Sequence, residues 1–251
     1  MIHSFLLIGQ SNMAGRGKLD EAPKLDNTNM LVLKNGRWQP LYRPINNDRD
    51  TAGYNLAETF IQDYLKQHEG VKVGLIPCAD GGTSLGRWRE GGLLFDNAVY
   101  QARLASRTST IAGVLWHQGE GDCSKNRYPV YKEKLESMIE ALRKELDLYD
   151  VPFIVGGLGD FLAECKLDPD FVNYPYVNEA LQSVANDEKR IGFASAEGLG
   201  SLPDKLHFST EALIELGHRY YDSFSKLENK QKVFEEKPDV DSAYRTEFEH
   251  L

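Results

Sequence analysis

The chain of 251 residues is long enough to bury one large core, and its 41% hydrophobic content suits a soluble globular domain. A formal net charge of -9 speaks against nucleic acid and anionic membrane surfaces as partners, because both are met by clusters of Lys and Arg. No run of 18 apolar residues is present to span a bilayer, and the opening I-H-S-F-L-L-I lacks the basic flank of a secretory signal. Three widely spaced cysteines, Cys78, Cys123 and Cys165, suit reduced thiols, so a cytoplasmic location is expected.

Taken in chain order, short apolar runs alternate with amphipathic ones. Strands are expected at 2–8, 71–79, 111–117, 153–158 and 191–194, several rich in Val and Ile. Helical spacing recurs between them: Ala57, Phe60, Ile61, Tyr64 and Leu65; Leu94, Ala98 and Ala102; Leu135, Met138, Ile139 and Leu142; Val177, Leu181 and Val184. A last helix is marked by Leu213, Ile214, Leu216 and Tyr220. Five strands alternating with helices predict a flavodoxin-like three-layer α/β/α sandwich with a five-stranded parallel sheet, whose expected strand order is 2-1-3-4-5. One domain is expected over 1–227. Residues 228–251 form a charged arm or tail carrying Phe234, Tyr244 and Phe248, a segment suited to docking on the body or on a second copy of the chain. Residues 159–175 are an irregular stretch of the length that walls an active site.

Ligands of such sheets bind beyond the carboxyl ends of the strands. Four motifs fall there: Gly9-Gln10-Ser11-Asn12, Asp80-Gly81-Gly82-Thr83-Ser84, His117-Gln118-Gly119-Glu120 and Asp204-Lys205-Leu206-His207. Each has a plain structural reading when taken singly. Ser11 suits a helix N-cap, the glycine pair a turn, and Asp204 with His207 an ordered loop. Together they supply what acyl transfer requires: a hydroxyl nucleophile, a base, a carboxylate that orients the base, and donors for an oxyanion. His207 is the best-placed base, with His117 its competitor. Asp204 lies three residues upstream in a Pro-led turn and can fold back on the imidazole. The amides of Ser11 and Gly82 and the side chain of Gln118 are candidate oxyanion donors.

These blocks, G-Q-S-N-M-A-G-R-G, D-G-G-T-S-L-G-R-W, W-H-Q-G-E-G-D and D-K-L-H-F-S, resemble the ordered motifs of the SGNH hydrolase superfamily. More narrowly they are similar to carbohydrate esterase family six and the sialate O-acetylesterases. The blocks run from residue 9 to 209, in family order. The resemblance implies a serine esterase that removes acetyl groups from sugars, with Ser11 as nucleophile, His207 as base and Asp204 as its partner, and with oxyanion positions at Gly82 and Gln118. Gln118 stands where most of the superfamily carries Asn. Glu120 enters as a supporting residue or as the alternative triad acid, since some family-six relatives take a glutamate from this block. An acetylated carbohydrate is the expected substrate, with Gln10, Asn12, Arg16, Arg87, Trp88 and His117 as candidate contacts; Trp88 would stack on a sugar and Arg16 or Arg87 would meet a carboxylate. No metal or other cofactor is called for, because the Cys and His spacing is unlike a zinc site. Two other classes share this fold: a non-catalytic carbohydrate-binding protein, and a nucleotide or flavin binder, against which the first loop lacks both G-x-G-x-x-G and G-x-x-x-x-G-K-[ST].

Overall fold

In a computed structural model, residues 1–228, 234, 236 and 237 are described. The chain builds β1 (Ile2–Gly9), a single helical turn α1 (Ser11–Ala14), β2 (Met30–Lys34), β3 (Arg37–Pro40) and α2 (Leu56–Gln67). It continues through β4 (Lys72–Pro77), α3 (Leu93–Ala105), β5 (Thr110–His117), α4 (Tyr131–Leu146) and β6 (Phe153–Gly156). The last elements are α5 (Tyr174–Val184), β7 (Ile191–Ala194) and α6 (Thr210–Leu227).

The sheet has the order β3-β2-β4-β1-β5-β6-β7. Five of its parallel strands, β4-β1-β5-β6-β7, reproduce the expected 2-1-3-4-5 arrangement, and the α/β class holds. The count does not: among the described residues the sheet has seven strands, because the β2–β3 hairpin extends it beyond β4. β2 pairs parallel to β4, and β3 pairs antiparallel to β2. The hairpin turns at Asn35-Gly36, where both residues have positive φ, the conformation a tight hairpin requires. That dipeptide was its signal in the sequence.

Helices α2 and α6 pack together on one face, while α3, α4 and α5 form the opposite layer. Right-handed crossovers explain the split, since the first connection from β1 runs one way along the sheet and the later ones run the other. β1 is the pivot. It is flanked by β4 and β5, and its Phe5, Leu6, Leu7 and Ile8 are almost wholly buried. Each such side chain contributes roughly 1.5–3 kcal/mol of burial, so the turn following β1 leaves a strand anchored in the core.

The stretch expected to be irregular contains two 3-10 turns, Asp160–Glu164 and Pro169–Asn173, before α5 begins at Tyr174. Of the proposed C-terminal arm, Phe234 stacks on His3 with ring centroids 3.9 Å apart, at the amino end of β1. Tyr244 and Phe248 lie outside the described residues. Among the described residues no helix is long and apolar enough to cross a membrane.

Candidate active site

The end of β1 cannot carry a side chain on Gly9: a Cβ there would stand 2.1 Å from the carbonyl oxygen of His117 on the neighbouring strand. The Gln10 amide donates to that same carbonyl at 2.9 Å, and the chain then turns directly into α1. Ser11 is the first residue of this turn rather than its cap. Gln10 occupies the cap position and makes no side-chain capping bond. The Ser11 hydroxyl is therefore not used by its own helix; it lies 3.0 Å from Nε2 of His207.

His207 is oriented by Asp204. Its Nδ1 is 2.7 Å from Asp204 Oδ2, while Asp204 Oδ1 accepts from the amides of Leu206 at 2.9 Å and His207 at 3.0 Å. Burial pushes the Asp204 carboxyl up, but these amides and the imidazole outweigh it and hold the group below the ordinary aspartate value. Asp204 thus stays ionised and accepts the Nδ1 proton, which leaves Nε2 free to act on Ser11. The turn that brings acid and base together passes through Lys205, whose φ is +56°. The wall formed by residues 160–173 supports it from outside, through an ion pair between Lys205 and Glu164 at 3.0 Å and a contact from Cys165 Sγ to the Asp204 carbonyl at 3.5 Å.

Glu120 does not reach the imidazole. One of its oxygens accepts from Asn12 Nδ2 at 2.5 Å, and the other has no partner among the described residues. Asp204 is the carboxylate that the fold brings to His207. Burial pushes the Glu120 carboxyl up to about 7 from the usual 4.5. Because the folded-state value is raised, this site favours folding fully below about pH 4.5, and that advantage is lost as the pH rises towards 7. Glu120→Gln removes the titration, so its stability relative to the natural protein should improve by up to about 3 kcal/mol between pH 4 and pH 8 in urea unfolding. A difference independent of pH would contradict this.

The second loop places Gly81 and Gly82 beside the nucleophile. A Cβ on Gly81 would come 3.6 Å from that of Ser11, whereas one on Gly82, at φ +74°, would meet nothing within 4 Å. Gly82 therefore faces open space, and its amide makes no hydrogen bond among the described residues. The Ser11 amide, first in its helical turn, has no intrahelical acceptor either. Asp48 and Arg49 anchor this loop. Asp48 accepts from the Gly81 amide at 2.8 Å and pairs with Arg16 at 2.7 Å, while Arg49 donates to Asp80 at 2.9 Å and to the Gly81 carbonyl at 3.0 Å. Arg16 and Asp48 are both nearly inaccessible, and removing one member of such a buried pair typically costs about 3–5 kcal/mol.

Several expected substrate contacts are instead structural. Arg16 has its guanidinium occupied by Asp48 and by the Gly15 carbonyl. Trp88 is buried edge-on against Trp116 and donates to Thr83 Oγ1, so no ring face is left for a sugar. Gln10 is buried and accepts from Gln118 and from the amides of Gly119 and Gly121. His117 is fully buried, and burial lowers its imidazole to about 3, which removes it as a competing base. Asn12 is buried behind Ser11. Arg87 is exposed and makes no side-chain hydrogen bond among the described residues, so it remains a candidate at the rim.

Gln118 is the main correction at the oxyanion position. Its side chain is fully buried, with Nε2 at 2.7 Å from Asp122 Oδ2 and 3.1 Å from both Gln10 Oε1 and the Thr83 carbonyl. Its oxygen accepts from Tyr131 at 3.1 Å. Two amide protons facing three acceptors leave none for an oxyanion. The candidate donors that stay available are the Ser11 and Gly82 amides. Asp48, Arg49, Asp122 and Tyr131 were missed by sequence reasoning, and their only signal is a position in loops flanking the motifs. Among the described residues no cluster of three His, Cys, Asp or Glu side chains is arranged to hold a metal ion.

A hydroxyl, an imidazole and a carboxylate thus lie in line beside two amides that make no hydrogen bond among the described residues. The family model described as "carbohydrate esterase, sialic acid-specific acetylesterase" matches residues 1–226. The chain belongs to this family. A probable carbohydrate esterase of Arabidopsis thaliana is 29% identical over 241 residues, covering 85% of this chain and 86% of its own. A solved Arabidopsis thaliana structure superposes with a TM-score of 0.80 at 26% identity, over 89% of this chain and 98% of that one. The structure of NanS shares the fold at a TM-score of 0.68 and 17% identity, over 90% and 97% of the two chains. So does a carbohydrate acetylesterase from Xanthomonas citri, at 0.64 and 17%, over 92% of this chain and 57% of its own. Membership of a carbohydrate esterase family makes the chain an esterase of carbohydrate type, built on the SGNH-like sandwich that the motifs suggested.

Proposed function

We propose that this carbohydrate esterase hydrolyses O-acetyl groups from sugars through an acetyl-serine intermediate on Ser11. The observation that carries the reading is the relay from Ser11 Oγ to His207 Nε2 at 3.0 Å and from His207 Nδ1 to Asp204 Oδ2 at 2.7 Å. A binding protein on the same scaffold has no need of it. Ser11 attacks the acetyl carbonyl while His207 takes the hydroxyl proton and Asp204 stabilises the imidazolium. The Ser11 and Gly82 amides receive the charge on the carbonyl oxygen, and His207 then returns the proton to the departing sugar hydroxyl. Water activated by the same imidazole releases acetate. The substrate is an acetylated xylan, sialic acid or related sugar. With Arg16 occupied and Trp88 buried, Arg87 is the remaining candidate from the motif loops for meeting a substrate carboxylate.

The test is turnover of p-nitrophenyl acetate followed by a panel containing O-acetylated sialic acid, acetylated xylo-oligosaccharides and acetylated monosaccharides. Release of acetate from at least one sugar ester is expected. Binding of these sugars without acetate release would support the non-catalytic alternative.

A further inference from the structure

The nucleophile and its base are 196 residues apart in the chain, and one side chain spans the gap between their two loops. Asn12, which follows Ser11, donates through Nδ2 to the Leu206 carbonyl at 3.2 Å and accepts through Oδ1 from the Phe208 amide at 3.2 Å. It grips the backbone on both sides of His207. The loop's own bonds, such as Leu202 N to His207 O at 2.7 Å, shape the turn but do not tie it to α1.

An asparagine amide is nearly symmetric in shape, and a flip would set its oxygen against the Leu206 carbonyl and its nitrogen against the Phe208 amide. Both contacts would then be repulsive. Those two contacts set the orientation, and a third partner reinforces it: Glu120 Oε1 lies 2.5 Å from Asn12 Nδ2. Oε1 acts there as an acceptor, so it draws the NH2 end towards itself and Leu206. Glu120 is buried, 3% exposed, and its other oxygen is unpartnered among the described residues, an arrangement whose energetic cost argues for a function.

We propose that Asn12 and Glu120 form one positioning unit that holds His207 in line with Ser11, with Glu120 acting entirely through the orientation of the Asn12 amide. The proposal rests on Ser11 and His207 being the reacting pair. It separates Glu120 both from the triad and from the Gln118 support, which Asp122 and Tyr131 supply.

The test is a double-mutant cycle on kcat with p-nitrophenyl acetate, using Asn12→Ala, Glu120→Ala and both together, with the low-field Nδ1 proton of His207 followed by NMR. Each single variant should lose about 10- to 100-fold in kcat with KM little changed, the scale of one misplaced catalytic group. The double variant should be no worse than Asn12→Ala alone, because residues acting as a unit are not additive. The Nδ1 resonance should broaden in all three. Glu120→Gln keeps an acceptor for Asn12 and should recover most of the turnover lost in Glu120→Ala. Losses that multiply in the double variant, or a Glu120→Gln as impaired as Glu120→Ala, would overturn the proposal. If Glu120→Ala does not fold, Glu120→Asp withdraws the carboxylate by one methylene and carries the same comparison; natural turnover with a sharp Nδ1 resonance would then overturn it. If the natural protein hydrolyses no acetyl ester, the proposed function fails, while the NMR comparison still decides the positioning role.

Discussion

Ser11→Ala is expected to remove essentially all ester hydrolysis while the protein stays folded. Loss of the nucleophile from a serine hydrolase triad costs on the order of 10⁶-fold in kcat, since the other groups have no bond-forming atom to assist. The fold should tolerate the change: the Ser11 hydroxyl makes its hydrogen bond to His207 and does not cap α1. Circular dichroism and thermal melting should match the natural protein, and a serine-reactive phosphonate should label the natural protein once and the variant not at all. Retained turnover in the variant would place the nucleophile elsewhere.

The second large effect concerns the acid. Asp204→Asn should lower kcat by on the order of 10⁴-fold, the cost seen where the carboxylate that sets the histidine tautomer has been neutralised in a serine protease. The introduced amide would also be free to present its NH2 to the imidazole, favouring the tautomer with its proton on Nε2, where it opposes attack by Ser11. Glu120→Gln should lose far less, because Glu120 contacts Asn12 and not His207. Comparing the two folded variants under the same conditions distinguishes the roles. A Glu120 variant that is far the more damaged would make Glu120 the triad acid, against the 2.7 Å contact between Asp204 and Nδ1.

The parallel core was legible because its strands are Val- and Ile-rich runs separated by amphipathic helices, and strict crossover handedness leaves few arrangements. The β2–β3 hairpin escaped because five- and four-residue strands carry too little periodicity, and only Asn35-Gly36 marked it. At the site, the motifs showed which residues converge but not which way they point. Ser11, Asp204 and His207 have short local geometry: a strand-to-helix turn and a D-x-x-H turn. Trp88, Arg16 and Gln118 owe their orientation to Trp116, Asp48 and Asp122, partners that local patterns do not reveal. Residues in the motif loops thus read as substrate contacts in the sequence, while the structure uses them to hold the loops in place. The same distance effect hid the link from Asn12 to the His207 loop, which joins positions 194 to 196 residues apart.

In the proposed mechanism Ser11 carries the acetyl group between attack and release. Rapid acid quench during turnover of p-nitrophenyl acetate, followed by peptide mapping by mass spectrometry, tests it directly. A mass increase of one acetyl group is expected on the peptide containing Ser11, appearing with the initial burst of p-nitrophenol and absent in Ser11→Ala. Acetylation of a different residue during turnover, or a burst that survives in the alanine variant, would contradict it.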